Sequence, residues 1–213
     1  MPISSLAHNC EPIYSTEEKI NDHKYQVHRT RVNAPPDVVW SVLTDYSSAP
    51  QIFSKVLKCS IVQDLGDEKA ISFKVKTLRD LVTLEYVLNI HEHYPTRIDW
   101  SRKSGAFKIN EGYWNIEGID GGKASMVTYA KFVDAGPLTN FLVTKELKYD
   151  MPIILTQVKL FAENMLQNNA NPTLVRHPRN TGQKASLNEE LHVVAKRSIT
   201  EPDRGPQNLA ARK

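Results

Sequence analysis

The sequence predicts an α+β fold: a curved antiparallel sheet of about seven strands wrapped around a long C-terminal helix, with two short helices after the first strand. Three observations predict it. From Val56 to Ala135 the chain reads as six successive strands separated by turn residues. After Gly136-Pro137, the residues Leu147, Met151, Ile154, Val158, Phe161 and Met165 step by four, three, four, three and four, a helical stripe that Leu155 and Ala162 widen. A meander of antiparallel strands with one dominant amphipathic helix cannot form a doubly wound sheet, so the helix must lie across the concave face. A sheet bent that strongly leaves room between itself and the helix.

Each element follows from local pattern. Residues 1–22 are polar and lack a period, so they read as an arm. The segment Lys24–Val32 is rich in β-branched and aromatic residues and reads as the first strand. Asn33-Ala34-Pro35-Pro36 stops it, and proline is tolerated in the first turn of a helix, where its missing N–H costs nothing. Val39, Val42, Leu43 and Tyr46 then share one helical face. Ser47-Ser48-Ala49-Pro50 breaks that helix, and a second short one is expected to carry Ile52, Phe53 and Val56. Strands 56–65 and 70–77 flank the hairpin turn Gly66-Asp67-Glu68-Lys69. The clearest alternation sets Val82, Leu84, Tyr86, Leu88 and Ile90 against Thr83, Glu85, Val87, Asn89 and His91, as a half-buried antiparallel strand requires. Further strands are expected at 97–103, 110–119 and 124–135, with Pro95, Gly105 and Gly121-Gly122 at or near the turns. Pro152 lies inside the closing helix, where it should kink the helix or divide it.

At 213 residues the chain holds one domain, assigned to residues 23–167, plus a tail. From Gln167 onward there are eight Lys/Arg against four Asp/Glu, so the tail supplies about +4 of a net charge of +3 and the remainder is close to neutral. Residues 168–213 read as mostly disordered. One short helix is expected at 187–197, where Ser186-Leu187-Asn188-Glu189 has capping-box spacing. The tail reads as a solvated linker, with attraction to an anionic membrane or RNA as the alternative. It lacks the interleaved aromatic residues of a single-strand binder, so no nucleic-acid partner is expected.

Cys10 and Cys59 do not make a disulfide framework, and Cys59 falls in an apolar stretch where a free thiol is usual. Met1–Ala7 carry neither the basic nor the apolar region of a secretion signal. No apolar run approaches the roughly 20 residues of a membrane span. A reducing, cytoplasmic compartment is therefore expected.

Two blocks resemble a known family. The run Ala34-Pro35-Pro36-Asp37-Val38-Val39-Trp40-Ser41-Val42-Leu43-Thr44-Asp45-Tyr46, with Pro50 and Phe53 beyond it, resembles the opening of the polyketide cyclase/dehydrase and lipid-transport family of the START and Bet v 1-like (SRPBCC) superfamily. Gly136-Pro137-Leu138-Thr139-Asn140-Phe141-Leu142-Val143, followed by Pro152, is similar to that family's start of the closing helix, with Thr139 where a second proline is usual. The blocks bracket about residues 24–166. The resemblance implies a helix-grip fold with a cavity between sheet and helix. It also implies lipids, quinones, sterols or polyketides as cargo. Such a fold serves carriers, enzymes and binding modules alike, so it does not choose among them.

The search for catalytic motifs is negative. There is no Gly-x-Ser-x-Gly elbow, phosphate-cradling glycine loop or Cys-x-x-Cys pair. His91 and His93 could face the same way, but a third metal ligand at suitable spacing is missing, and no metal or cofactor is expected. Asp45 and Tyr46 read as a polar cap for the turn that follows them. The β region is dense in large side chains, and Tyr86, Trp100, Trp114, Tyr129 and Phe132 are expected to wall a pocket with Phe53, Phe73 and Leu84. Phe141, Leu142, Met151 and Ile154 are expected to supply its helical lid. Arg102 shares strand parity with Ile98 and Trp100, so it is the candidate anchor, needing Glu111, Glu117 or an anionic headgroup as partner.

Three functions remain open. The first is a non-catalytic binder or carrier of a hydrophobic small molecule, with transient membrane contact. The second is a cyclase or dehydratase using Arg102, Tyr86 or Tyr129; convergence of two or more titratable side chains in the pocket separates it from the first. The third is an interaction module with a filled core.

Overall fold

The computed structural model describes residues 12–77, 80–136 and 140–170, leaving out the side chains of 140–144, 146, 169 and 170. Strands β1 (Tyr14–Ile20) and β2 (His23–Val32) lead into helices α1 (Pro36–Thr44) and α2 (Ala49–Ile52). Strands β3 (Val56–Asp64), β4 (Glu68–Thr77), β5 (Val82–His93), β6 (Arg97–Gly105), β7 (Ile109–Ile119) and β8 (Ala124–Asp134) follow, and α3 (Asn140–Ala170) closes the fold. The strands form one antiparallel sheet in the order β1-β2-β8-β7-β6-β5-β4-β3, so the first segment of the domain pairs with the last strand. The expected helix-grip arrangement is thus present, with eight described strands.

The eighth strand is β1, within the segment expected to be an arm. Its sequence, YSTEEKI, has no apolar alternation because it is an exposed edge strand; Tyr14 pairs with Arg29 and Ile20 with His23. Charged residues on such an edge discourage pairing with another chain. Two helix boundaries also differ from expectation. Helix α2 ends at Ile52, so Phe53 is its C-cap and Val56 already begins β3. Helix α3 continues through residues 168–170, which composition had assigned to the tail, and it runs unbroken past Pro152. Cys10 and the short helix expected at 187–197 lie outside the described residues.

Sheet curvature comes from irregular pairing. Register shifts interrupt β3 against β4, and another lies between Val87 and Leu88 where β5 meets β6. Strand β6 pairs with β7 only from Arg97 to Trp100, then continues against β5 alone. Gly105 ends that run at φ +89°, and a Cβ there would lie 2.5 Å from the Glu85 carbonyl oxygen, so only glycine turns the chain so tightly.

The core sits between the sheet's concave face and α1 and α3. On α3 the fully buried positions are Met151, Leu155, Val158 and Ala162, spaced four, three and four. Burying each such leucine or valine contributes roughly 1.5–3 kcal/mol. The expected stripe is rotated slightly from this line: Met165 is 40% exposed, while Leu147 and Ile154 are half-buried. Those two face the open space beside the core. A second, smaller cluster of Tyr25, Val27 and Ala130 covers part of the convex face.

Candidate functional site

Beneath the N-terminal half of α3, the sheet and helix enclose a partly open cavity of about 460 Å³. That volume is in the range of small-molecule sites, and apolar side chains dominate the wall. Strands β4 and β5 contribute Phe73, Val75, Leu84, Tyr86, Leu88 and Ile90 through the inward parity of each strand. Trp100, Trp114 and Tyr129 come from three adjacent strands, and Met151 and Ile154 from the helix. Phe53 enters from the α2 cap. Nine of the thirteen residues expected at a pocket therefore line one cavity.

Two of the others do not. Phe132 lies on the convex face, stacked on His23 at 4.3 Å between ring centroids. Its neighbours Lys131 and Val133 are the ones that face inward. Arg102 is exposed and donates to the Gly105 carbonyl at 2.9 Å. It lies past the end of the β6–β7 pairing, so the parity it shares with Trp100 no longer carries it into the interior. Glu111 is engaged elsewhere, accepting from the Tyr25 hydroxyl at 2.8 Å and lying 2.5 Å from His23 Nδ1. The side chains of Phe141 and Leu142 lie outside what the structure describes.

Ring packing fixes the polar aromatic groups in the wall. Trp114 stacks on Tyr129 at 4.0 Å and 9°, and Trp100 leans on the same ring at 5.9 Å. Tyr86 is held between Phe73 at 5.7 Å and Phe107 at 6.0 Å. Burial pushes both phenols well above the ordinary tyrosine range, so they stay protonated. Neither hydroxyl has a hydrogen-bond partner among the described residues.

The other polar groups of the lining are mostly satisfied. The Tyr46 hydroxyl donates to Glu92 at 2.6 Å, and Lys69 holds the second oxygen of that carboxylate at 2.8 Å. Lys55 lies 3.4 Å from Asp80 and 3.7 Å from Asp150. Asp45 caps the following turn, as expected, accepting from Ser47 Oγ at 2.7 Å and the Ser48 N–H at 3.0 Å, which hold its carboxyl below the usual range.

Lys131 is the group that sequence reasoning missed. It lines the cavity from β8, and burial pushes its ammonium down to about 8, against the opposing pull of Asp150. Its signal was masked: Val127, Tyr129, Lys131 and Val133 share one parity, but Ala130 and Phe132 make the opposite face apolar as well.

His91 and His93 stack on each other at 4.2 Å on the outer side of β5, and no cluster able to hold a metal occurs among the described residues. Cys59 is a free thiol, half-buried against the core, and burial pushes it up to about 12. It is therefore expected to react with a disulfide reagent at pH 8 at least tenfold more slowly in the native protein than in urea. Equal rates would place Cys59 in solvent.

A family model described as polyketide cyclase / dehydrase and lipid transport matches residues 32–170. The chain belongs to the polyketide cyclase/dehydrase and lipid-transport family. Solved structures of the same fold include the Zhui aromatase/cyclase from Streptomyces sp. R1128, at TM-score 0.56 and 14% identity, covering 74% of this chain and 98% of that one. A START superfamily protein from Mycobacterium smegmatis matches at TM-score 0.55 and 15% identity, covering 68% and 97%. Human STARD10 matches at TM-score 0.55 and 14% identity, covering 84% and 81%. No curated protein matches the chain. Membership of this lipid-transport and cyclase family agrees with a cavity built mainly of apolar side chains. No described helix is long and apolar enough to cross a membrane.

Proposed function

We propose that the protein binds and carries a hydrophobic small molecule, of the lipid, isoprenoid, sterol or polyketide kind, without transforming it. The observation that supports this reading is the cavity of about 460 Å³ walled by Phe73, Leu84, Leu88, Trp100, Met151 and Ile154. Burial of an apolar chain there contributes roughly 0.8 kcal/mol per methylene and needs no covalent step. Leu81, 86% exposed in the β4–β5 turn, sits between cavity-lining Thr77 and Val82, which suits brief contact with a membrane during loading. The free thiol of Cys59 suits a reducing, cytoplasmic setting.

A cyclase-type activity is the second reading, and one observation favours it: Tyr86, Tyr129 and Lys131 all reach the same cavity. Acid–base chemistry needs a group that gives a proton and another that takes one. Both phenols stay protonated and can give a proton, Lys131, pushed down to about 8, can take one, and Asp150 lines the same cavity. The convergence of titratable groups named above as the mark of a cyclase is therefore met, and the carrier reading is supported instead by the predominantly apolar wall.

Native mass spectrometry of the purified protein, followed by organic extraction, tests the carrier reading. A stoichiometric apolar molecule is expected, and Ile154→Trp, which fills the cavity from α3, should weaken its retention at least tenfold. An empty protein that also fails to take up fluorescent fatty acids, quinones and sterols would overturn the reading in favour of an interaction module.

A further inference from the structure

The polar groups of the cavity wall divide sharply into those the fold satisfies and those it leaves open. Tyr46 is satisfied by Glu92, itself held by Lys69, behind the wall, Lys55 lies against Asp80 and Asp150, and Lys76 lines the wall from the end of β4. Lys131, by contrast, makes no ion pair and no hydrogen bond with any described residue. It stands on the inner face of β8 two positions from Tyr129. Its cross-strand neighbours are Gly112 on β7, which offers no side chain, and Gln26 on β2, which is neutral and donates to Glu17 at 3.1 Å. The acidic group that reaches it is Asp150 on α3, which Lys55 already engages. The Tyr86 and Tyr129 hydroxyls are also without partners, and they are close enough that ionisation of Tyr86 opposes that of Tyr129.

Asp150 reaches Lys131 electrostatically but forms no ion pair with it, and an ammonium in an apolar wall with no hydrogen-bonded anion is costlier than one facing a bound anion. Two phenol donors in the same cavity, locked by ring packing, supply hydrogen bonds of fixed direction. One positive charge with two neutral donors matches a monoanion with two oxygens. Of the other cations in the lining, Lys55 lies against Asp80 and Asp150, and Lys76 stands in the last two residues of β4, so Lys131 is the one that shares a strand face with Tyr129.

We infer that the cargo is an apolar molecule with a carboxylate head, which Lys131 anchors with the Tyr86 and Tyr129 hydroxyls as further donors. The apolar body lies against Phe73, Leu84, Leu88 and Trp100. This inference rests on the binding reading above and narrows it to acidic cargo.

The test compares cis-parinaric acid with its methyl ester, followed by their fluorescence on the wild-type protein, Lys131→Met and Lys131→Arg. Lys131→Met is expected to weaken the acid about tenfold or more and to leave the ester within about twofold, while Lys131→Arg retains most of the acid affinity. On the wild-type protein, raising pH from 7.5 to 9.5 is expected to weaken the acid about tenfold as free Lys131 loses its proton, with the ester unaffected. Lys131→Met should melt close to wild type, because half-buried Lys131 makes no ion pair or hydrogen bond with a described residue; should it nevertheless fail to fold, the wild-type pH series decides. Equal losses for acid and ester, or no loss of the acid, would overturn the carboxylate anchor and leave the cavity reading standing. Failure of both probes to bind the wild-type protein would overturn both.

Discussion

Gly112→Ala is expected to destabilise the protein by about 3 kcal/mol or more, lowering its melting temperature on the order of 10 °C. Gly112 pairs with Trp100 on β6 and with Lys131 on β8. A Cβ added there would lie 2.2 Å from the Ala130 carbonyl oxygen and 2.3 Å from Trp100 Cζ2. The oxygen belongs to the adjacent strand, so relief requires opening the β7–β8 ladder. The indole has little freedom either, because it also rests against Tyr129. With no side chain at 112, Trp100 lies down on the sheet, and space remains above it beneath α3. The substitution should therefore disturb the cavity as well as the ladder. Gly118→Ala on the same strand is the control. Its nearest contact is Pro36 Cγ at 3.3 Å, a ring that needs to give only slightly, and its cost should stay within about 1 kcal/mol. Thermal melts that rank the two variants equally would contradict this packing of Trp100 on bare backbone.

How legible the molecule was depended on how many faces each strand buries. Strand β5 has one buried face, and Tyr86, Leu88 and Ile90 stood out because Glu85, Asn89 and His91 take the opposite parity. Strand β8 is covered on both faces. Tyr129 packs in the main core and Ala130 and Phe132 in the convex cluster, so apolar residues alone could not give its parity. The error at Phe132 and the omission of Lys131 have that common origin. Arg102 failed differently. Its parity was read correctly, but parity cannot reveal that β6 loses its β7 neighbour after Trp100. Strand β1 was invisible because an edge strand needs hydrogen-bond partners more than an apolar face, and its alternation is weak. The long helix was legible in type and register to within a small rotation, since a stripe of buried residues is a property of one segment. The cavity is a property of several segments at once. It exists because α3 shares its apolar face between tight packing at Leu155 and Val158 and open space at Leu147 and Ile154.

Acid is expected to begin destabilising the protein near pH 6.5, before carboxylates titrate, and His28 is the cause. His28 faces inward on β2, 3% exposed, between Ser15 on β1 and Tyr129 on β8. Its Nδ1 lies 2.8 Å from Ser15 Oγ, while Nε2 is buried with no partner. Whichever ring nitrogen carries the proton, a second proton would create a charge and a donor with nowhere to point. Burial accordingly pushes the imidazole down from 6.5 to about 4. A folded-state pKa below the unfolded value gives stability that is present above pH 6.5 and is lost as pH falls through 4. The full loss is about 3 kcal/mol. Glu17, held down to about 2 by Lys148 and Lys24, adds a separate loss only at lower pH, because its unfolded pKa is 4.5. The two contributions can be separated by urea denaturation at pH 7.0, 5.0 and 4.0. The wild-type protein should lose most of the histidine contribution across that series, whereas His28→Leu should lose much less. His28→Leu fills the same inner-face position without a titrating group, and it frees the Ser15 hydroxyl at the edge strand, where water can satisfy it. A wild-type stability that stays flat from pH 7.0 to 4.0 would mean that the imidazole reaches solvent, and that β1 does not cover it as the pairing of Ser15 with His28 requires.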